Sequence, residues 1–327
     1  MGVPGFALPD LVEAARDGRS TMLGELDRTC REQGVFRLTD LALPAGLPPE
    51  LLERTRALFA LPLAVKRELR DPDDQYVGWR GADNRNEYGQ SDDKEMFHIG
   101  PRVSATLAAG AGLVDGDGGR RESELVEAAL ADCSLWPADL PGFVLVWHRF
   151  YAAMQHAAAQ LGLALAAAMG VESARWAAMA HDNWADLAAN HYPAQPAGAE
   201  VRMRNAVHSD LTLFTILLQD PPGPGGLVMR DRSGAWHDVV PAPGEFVVNI
   251  GELLTFLTGD DWWAVPHEVR PTEATLARDR LSIPFFFRPH DALVLEPFRV
   301  SPGTTAPGPI DVGAWVHARK RMQRVPS

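Results

Sequence analysis

Two cysteines, no long apolar run and a deficit of positive charge set the first limits on this chain of 327 residues. Cys30 and Cys133 lie far apart and match no metal or redox spacing, so both read as buried or incidental thiols of a reducing compartment. No stretch approaches the ~18 uninterrupted apolar residues of a membrane span. The opening Met1-Gly2-Val3-Pro4 lacks the charged start and apolar run of a secretory signal, and Phe6 stands where myristoylation needs serine or threonine. A net charge of −12 argues against nucleic acid, whose phosphates would be repelled. The expectation is a cytoplasmic protein acting on a small molecule, without nucleic-acid or membrane partners, as a monomer or weak homo-oligomer.

What is present is enough apolar content, 46%, to bury a large core in one domain or two intimately packed ones. Helical spacing runs over 10–33 with Asp10 as N-cap, and Gly34-Val35-Phe36-Arg37-Leu38 reads as a strand. A second helix is expected over Leu47–Leu69, opened by Pro48-Pro49-Glu50 and packed on a sheet. Asp71 to Gly100 reads as a polar loop. The glycine- and aspartate-rich run at 108–121 lacks the spaced ligands of an EF-hand and reads as a linker. An alanine-rich helix over Leu140–Met169 would be the spine, with Val144, Val146, Trp147, Tyr151, Met154, Leu161 and Leu165 buried.

After Gly170 the period changes. Segments near 186–192, 201–208, 213–219, 226–230, 236–240, 245–250, 264–270 and 280–288 read as short strands between Pro/Gly turns, Pro221 to Gly226 being the most emphatic. Eight such strands suit a double-stranded jelly roll, whose mouth can hold an ion and a small ligand. No solenoid repeat is visible.

The chemistry centres on His208-Ser209-Asp210. On an extended segment residues i and i+2 face the same way, so one ion can reach both side chains if another strand brings His267 opposite. Two imidazoles and one carboxylate form the face that holds Fe(II) in oxygenases, and three coordination positions stay open. Each histidine must be neutral to bind, so activity should fall as pH drops through the imidazole range. Taken alone the His-x-Asp pair is unspecific, since about one is expected by chance in a chain of this composition.

The surrounding text is more specific. It runs Asn190-His191-Tyr192-Pro193, His208-Ser209-Asp210, Leu217-Leu218-Gln219-Asp220, Gly225-Gly226-Leu227, Trp236-His237-Asp238-Val239, Pro243-Gly244-Glu245-Phe246-Val247-Val248-Asn249-Ile250-Gly251-Glu252, His267, and Arg280-Leu281-Ser282-Ile283-Pro284-Phe285-Phe286-Phe287. That order and spacing resemble the isopenicillin N synthase-like Fe(II)/2-oxoglutarate-dependent dioxygenases. Gly34 to Leu38, Phe59-Ala60-Leu61-Pro62, Tyr76-Val77-Gly78-Trp79 and Lys94 to Gly100 resemble landmarks of the same family's N-terminal region.

The resemblance implies a mainly β core with flanking helices, a double-stranded β-helix behind a helical N-terminal region. Residues 1–138 would form the N-terminal region with a substrate lid, 139–300 the catalytic core with its spine helix, and 301–327 a tail or helix. It implies Fe(II), 2-oxoglutarate and O2 as cofactors, with ascorbate as a reductant. His208, Asp210 and His267 would be the metal ligands. Arg280 and Ser282, on one face if Leu281 points away, would receive the distal carboxylate of 2-oxoglutarate, because a guanidinium fork beside a hydroxyl suits it. An arginine inside Leu281-Ser282-Ile283-Pro284-Phe285 is expensive to bury without an anion. Tyr192 and Asn190 would add polar contacts, and His191 should point away. Trp262 and Trp263 would form an apolar wall or plain core.

The reaction implied is oxidative decarboxylation to succinate and CO2, coupled to hydroxylation, desaturation or ring closure of the substrate. Arg80 and Arg85 in the 71–100 lid, with Phe97, Arg204 and Arg288, are candidate substrate contacts, and their charge suits a small polar, carboxylate-bearing metabolite. Thr212 departs from the glycine that the family often carries, and Arg202, Arg204 and Asn205 from its more apolar lead-in to the first ligand. Alanine- and arginine-rich usage is in keeping with a high-GC bacterium and with specialised metabolism such as antibiotic biosynthesis. Two alternatives stay open, a family oxidase that does not consume 2-oxoglutarate and a non-catalytic jelly-roll ligand-binding protein.

Overall fold

The structure, a computed structural model, describes residues 2–18, 20–70, 77–81, 92–99, 135–181, 183–195, 198, 201–220, 225–298 and 308–322. Cys133, Arg85, the linker expected at 108–121 and residues 221–224 of the Pro/Gly loop lie outside them.

Strand β1 (Gly5–Ala7) runs into α1 (Leu8–Asp17), with Pro9 in the first turn, where a missing N–H costs nothing. The helix expected over 10–33 is divided. Gly18 closes α1 in the left-handed region at φ 65, which glycine adopts without penalty, and α2 (Ser20–Glu32) follows. The N-cap is Ala7 rather than Asp10, which sits in the first turn. Strand β2 (Val35–Thr39) then pairs parallel with β1. The helix expected over 47–69 also divides, into α3 (Leu47–Phe59) and α4 (Leu63–Glu68), because Pro62 cannot sit inside a continuous helix. Inside the loop expected at 71–100 lie two strands, β3 (Gly78–Arg80) and β4 (Glu95–Ile99), paired antiparallel.

The spine is α5 (Phe143–Met169), bounded by Gly142 and Gly170, both at positive φ. Of its expected core residues all are buried except Val144, which is half-buried. Helices α1, α2, α3 and the following α6 (Ser173–Ala180) all pack on it. Thus α3 rests chiefly on another helix, and only lightly on the sheet as expected.

All eight expected strands form: β5 (Asp186–Tyr192), β6 (Asn205–His208), β7 (Phe214–Gln219), β8 (Leu227–Arg230), β9 (Trp236–Asp238), β10 (Phe246–Ile250), β11 (His267–Val269) and β12 (Arg280–Phe287). Two short helices between them, α7 (Glu252–Leu257) and α8 (Glu273–Ala277), were not expected. The second is opened by a Thr272–Thr275 capping box. A small β13 (Val294–Leu295) and β14 (Ile310–Asp311) pair leads to α9 (Val312–Met322).

The large sheet runs β1-β2-β10-β7-β12-β5-β4-β3 and the small one β6-β11-β8-β9. Strands before residue 139 therefore share one sheet with strands after it. Alternation sorts the side chains of the large sheet. In β12, Leu281, Ile283, Phe285 and Phe287 join the core under the helices, and in β10 Phe246, Val248 and Ile250 do the same. Val247, Leu217 and Tyr192 turn the other way, onto Leu227, Met229 and Val269 of the small sheet. Each such buried apolar side chain contributes about 1.5–3 kcal/mol, so the strands are locked in register and every second residue of β12 must face the space between the sheets. No described helix is long and apolar enough to cross a membrane.

Candidate active site

Between the sheets lies a cavity of about 60 Å³ that reaches His208, Asp210, His267, Arg280, Ser282 and Asn190. Strand pairing assembles it. His208 on β6 is the direct cross-strand partner of His267 on β11, and their rings stand 4.2 Å apart between centroids. Asp210, two residues beyond β6, sits on a loop held by the start of α7. The Glu252 N–H donates to its carbonyl at 2.8 Å, and Ser209 Oγ donates to Glu252 Oε1 at 2.7 Å. A Cβ on Gly251 would stand 2.2 Å from Thr212 O, so only glycine lets α7 approach this loop so closely.

The donor atoms suit a divalent cation. His208 Nε2 and His267 Nε2 each lie 3.8 Å from Asp210 Oδ1. Two ligands of one ion at ~2.1 Å are separated by at most about 4.2 Å, so these spacings admit a shared metal. The tautomers agree with this. His208 Nδ1 stands 2.8 Å from Ala206 O, and His267 Nδ1 3.0 Å from Val265 O. A carbonyl only accepts, so Nδ1–H donates in both rings and leaves each Nε2 lone pair facing the carboxylate. Asp210 Oδ2 accepts from Thr215 Oγ1 at 2.6 Å and Asn249 Nδ2 at 2.8 Å, which leaves Oδ1 for an ion. Among the described residues this is the one cluster of three such groups.

Electrostatics point the same way. Burial, with the neighbouring His267, pushes His208 down to about 3, against the opposing pull of Asp210. Burial raises the Asp210 carboxyl, but the two histidines and the bonds from Thr215 and Asn249 outweigh it and hold the group below the ordinary range. The site thus presents a neutral His208 and a carboxylate through the physiological range.

Arg280 and Ser282 both enter the cavity, with Leu281 on the opposite face. Arg280 is 3% exposed, and burial draws its pKa below the ordinary value. It donates to Ser282 Oγ at 3.1 Å and lies 5.0 Å from the Tyr192 ring centroid. No carboxylate stands within ion-pair distance among the described residues. A buried cation whose hydrogen-bond partners are neutral suits an anion, since burying it unpaired costs several kcal/mol. Asn190 is the cross-strand partner of Ser282, and its buried Oδ1 has no partner among the described residues.

Other sequence candidates lie elsewhere. Phe97 is fully buried against Trp147, Phe143 and Trp136, so it is helix-side core rather than a substrate contact. Arg204 is fully buried and donates to Pro193 O and Thr275 O, with Asp93 3.5 Å away. It staples the end of β5, the approach to β6 and helix α8 before β12, and does not line the cavity. Arg288 pairs with Asp291 and lies over Trp184. Arg80 sits half-buried on edge strand β3, away from the cavity lining. His191 stacks on Phe59, outside the cavity as expected. Trp262 is fully buried and Trp263 packs on the inter-sheet core. Cys30 is buried, which raises its thiol pKa.

Thr215, Asn249 and Lys94 were not foreseen in the site. Lys94 Nζ donates to Asn205 Oδ1 at 2.6 Å, and Asn205 borders the cavity. A signal for Asn249 did exist: it is the one polar residue in Phe246-Val247-Val248-Asn249-Ile250, and alternation turns it inward.

Comparison with known proteins agrees with this geometry. Residues 183–289 match the model of the 2OG-Fe(II) oxygenase superfamily, and residues 3–113 that of the non-haem dioxygenase in morphine synthesis N-terminal region. A 2-oxoglutarate-Fe(II) type oxidoreductase of Aspergillus fumigatus is 28% identical over 85% of this chain and 79% of its own. Gibberellin 3-beta-dioxygenase 1 of Arabidopsis thaliana is 28% identical over 84% of this chain and 69% of its own. In fold, the chain is similar to the dioxygenase for auxin oxidation of rice. The TM-score is 0.70 at 21% identity, covering 99% of this chain and 97% of that one.

Proposed function

This chain belongs to the 2OG-Fe(II) oxygenase superfamily and is a 2-oxoglutarate-dependent dioxygenase, and from that premise we propose that His208, Asp210 and His267 hold its iron. Iron and 2-oxoglutarate, when bound, supply the oxidising chemistry: dioxygen is reduced, 2-oxoglutarate goes to succinate and CO2, and a C–H bond of the substrate is oxidised.

The chain's own residues supply position and polarity. His208 and His267 turn their Nε2 lone pairs, and Asp210 its Oδ1, toward one point, while Thr215 and Asn249 fix the second carboxylate oxygen. With only three protein ligands, a bound ion would keep positions for exchangeable partners. Arg280 and Ser282 receive the distal carboxylate of 2-oxoglutarate, with Tyr192 beside the guanidinium and Asn190 next to Ser282. Leu217, Leu227, Met229, Val269 and Phe286 wall the cavity with apolar surface, which excludes water and strengthens each polar contact.

The substrate we propose is a small polar metabolite, recognised on the side of the cavity where Lys94 and Asn205 meet. Alanine- and arginine-rich composition supports a bacterial, specialised-metabolic setting. The observation that carries the reading is the convergence of two Nε2 lone pairs, one carboxylate oxygen and a buried arginine without an ion pair among the described residues on one cavity. The test is Fe(II)-dependent oxygen uptake with succinate counted per substrate oxidised. One succinate per product, lost in Asp210→Ala, is expected. Product formation without 2-oxoglutarate consumption would instead assign Arg280 to the substrate.

A further inference from the structure

Arg280 has a second partner besides Ser282. Its Nη2 donates to Gln219 Oε1 at 2.5 Å, while Nη1 donates to Ser282 Oγ. Gln219 is the cross-strand neighbour of Ser282 from β7, as Asn190 is from β5, so the three side chains share one face of the large sheet. The guanidinium is therefore oriented by two acceptors, and both are neutral. A carboxylate was available one residue on. Asp220, however, is paired with Arg56 of α3 rather than with Arg280. The buried Nε2 of Gln219 has no partner among the described residues, leaving one more donor beside the arginine.

Resting on the reading that Arg280 receives the distal carboxylate of 2-oxoglutarate, we propose that Gln219 is the positioning residue that makes this receptor selective for a dicarboxylate. It holds the guanidinium in place without neutralising it. A glutamate of nearly the same size would hold it equally well but would satisfy its charge internally, so a second anion would bring little further gain. The selectivity thus depends on the amide being an amide.

Two ligands separate orientation from charge: 2-oxoglutarate and 2-oxovalerate, which lacks the distal carboxylate. Their binding to the metal-loaded protein would be measured by anaerobic calorimetry, with Mn(II) in place of iron, for wild type, Gln219→Glu, Gln219→Met and Arg280→Leu. Wild type should prefer 2-oxoglutarate. Gln219→Glu should weaken 2-oxoglutarate by about 100-fold, a change on the scale of losing a buried charge pair, while 2-oxovalerate and Mn(II) stay within about threefold. A general loosening of the fold would weaken both ligands together. Gln219→Met, which removes the acceptor without adding charge, should weaken 2-oxoglutarate about tenfold and keeps the test open if the glutamate variant does not fold. Equal 2-oxoglutarate affinity in wild type and both Gln219 variants would overturn the proposal. If wild type shows no preference, or Arg280→Leu retains it, the fault lies in the assignment of Arg280 itself.

Discussion

Replacing Thr215 with valine removes one bond to the carboxylate that we propose binds the metal. The two side chains have nearly the same shape, so no cavity forms at this buried position, and the loss is the hydroxyl: its short bond to Asp210 and a longer contact of 3.4 Å with Thr212 Oγ1. That donor stands 2.6 Å from Asp210 Oδ2, with Asn249 Nδ2 on the same oxygen at 2.8 Å. A hydrogen bond to a charged group contributes about 1.5–3 kcal/mol. Because Asn249 remains, the lower end applies, and the metal-free protein should lose about 1.5 kcal/mol of stability. With Oδ2 held by one bond the carboxylate can rotate, and partners of metal ligands typically cost 10–100-fold in affinity. The expectation for Thr215→Val is thus Fe(II) binding weaker by about tenfold. Anaerobic calorimetric titration reads the affinity, and urea unfolding of chelator-treated protein reads the stability. Asn249→Leu and the double variant close a cycle, which should be non-additive because both donors act on one oxygen. Metal affinity within about twofold of wild type, together with additive stability effects, would refute the assignment of Oδ2 as the anchored oxygen and Oδ1 as the ligand.

Further expectations concern the site and its supports. Replacing His267 with alanine should abolish tight Fe(II) binding and oxygen uptake while leaving the fold intact by circular dichroism. The stability of metal-free protein should depend on pH through His208. Its folded pKa of about 3 lies below the unfolded value of ~6.5, so its contribution is full above ~6.5 and is lost as pH falls toward 3. Urea midpoints at successive pH values read this, and a flat profile between pH ~6.5 and ~4 would contradict it. Arg204→Met should destabilise by about 3 kcal/mol, since it strips the guanidinium from two backbone carbonyls and leaves Asp93 only the exposed Arg202 and Gln195 as partners. Phe97→Ala should cost about 3–5 kcal/mol of stability, with the Km for 2-oxoglutarate unchanged, as measured on the remaining folded enzyme.

Much of this molecule was legible along the chain. Short segments between Pro/Gly turns mark all eight core strands, and a strand's period of two assigns Arg280 and Ser282 to one face and Leu281 to the other. The same rule turns Asn249 inward. Helix limits were less legible: Gly18 and Pro62 each split a segment of continuous helical spacing, since apolar periodicity says nothing of the backbone break between its members.

What periodicity cannot supply is the partner. A strand pattern declares which side chains share a face and leaves open which strand lies opposite, because pairing is decided by burial summed over the whole sheet. Only the pairing of β6 with β11 sets His267 against His208, and only that of β10 with β7 brings Asn249 to Thr215 and so to Asp210. The arginines show the converse. Arg204, Arg280 and Arg288 look alike in the sequence, yet two of them find acceptors in carbonyls or carboxylates of their own chain. Arg280 makes no ion pair among the described residues, because folding sets a serine, a glutamine and a tyrosine against it.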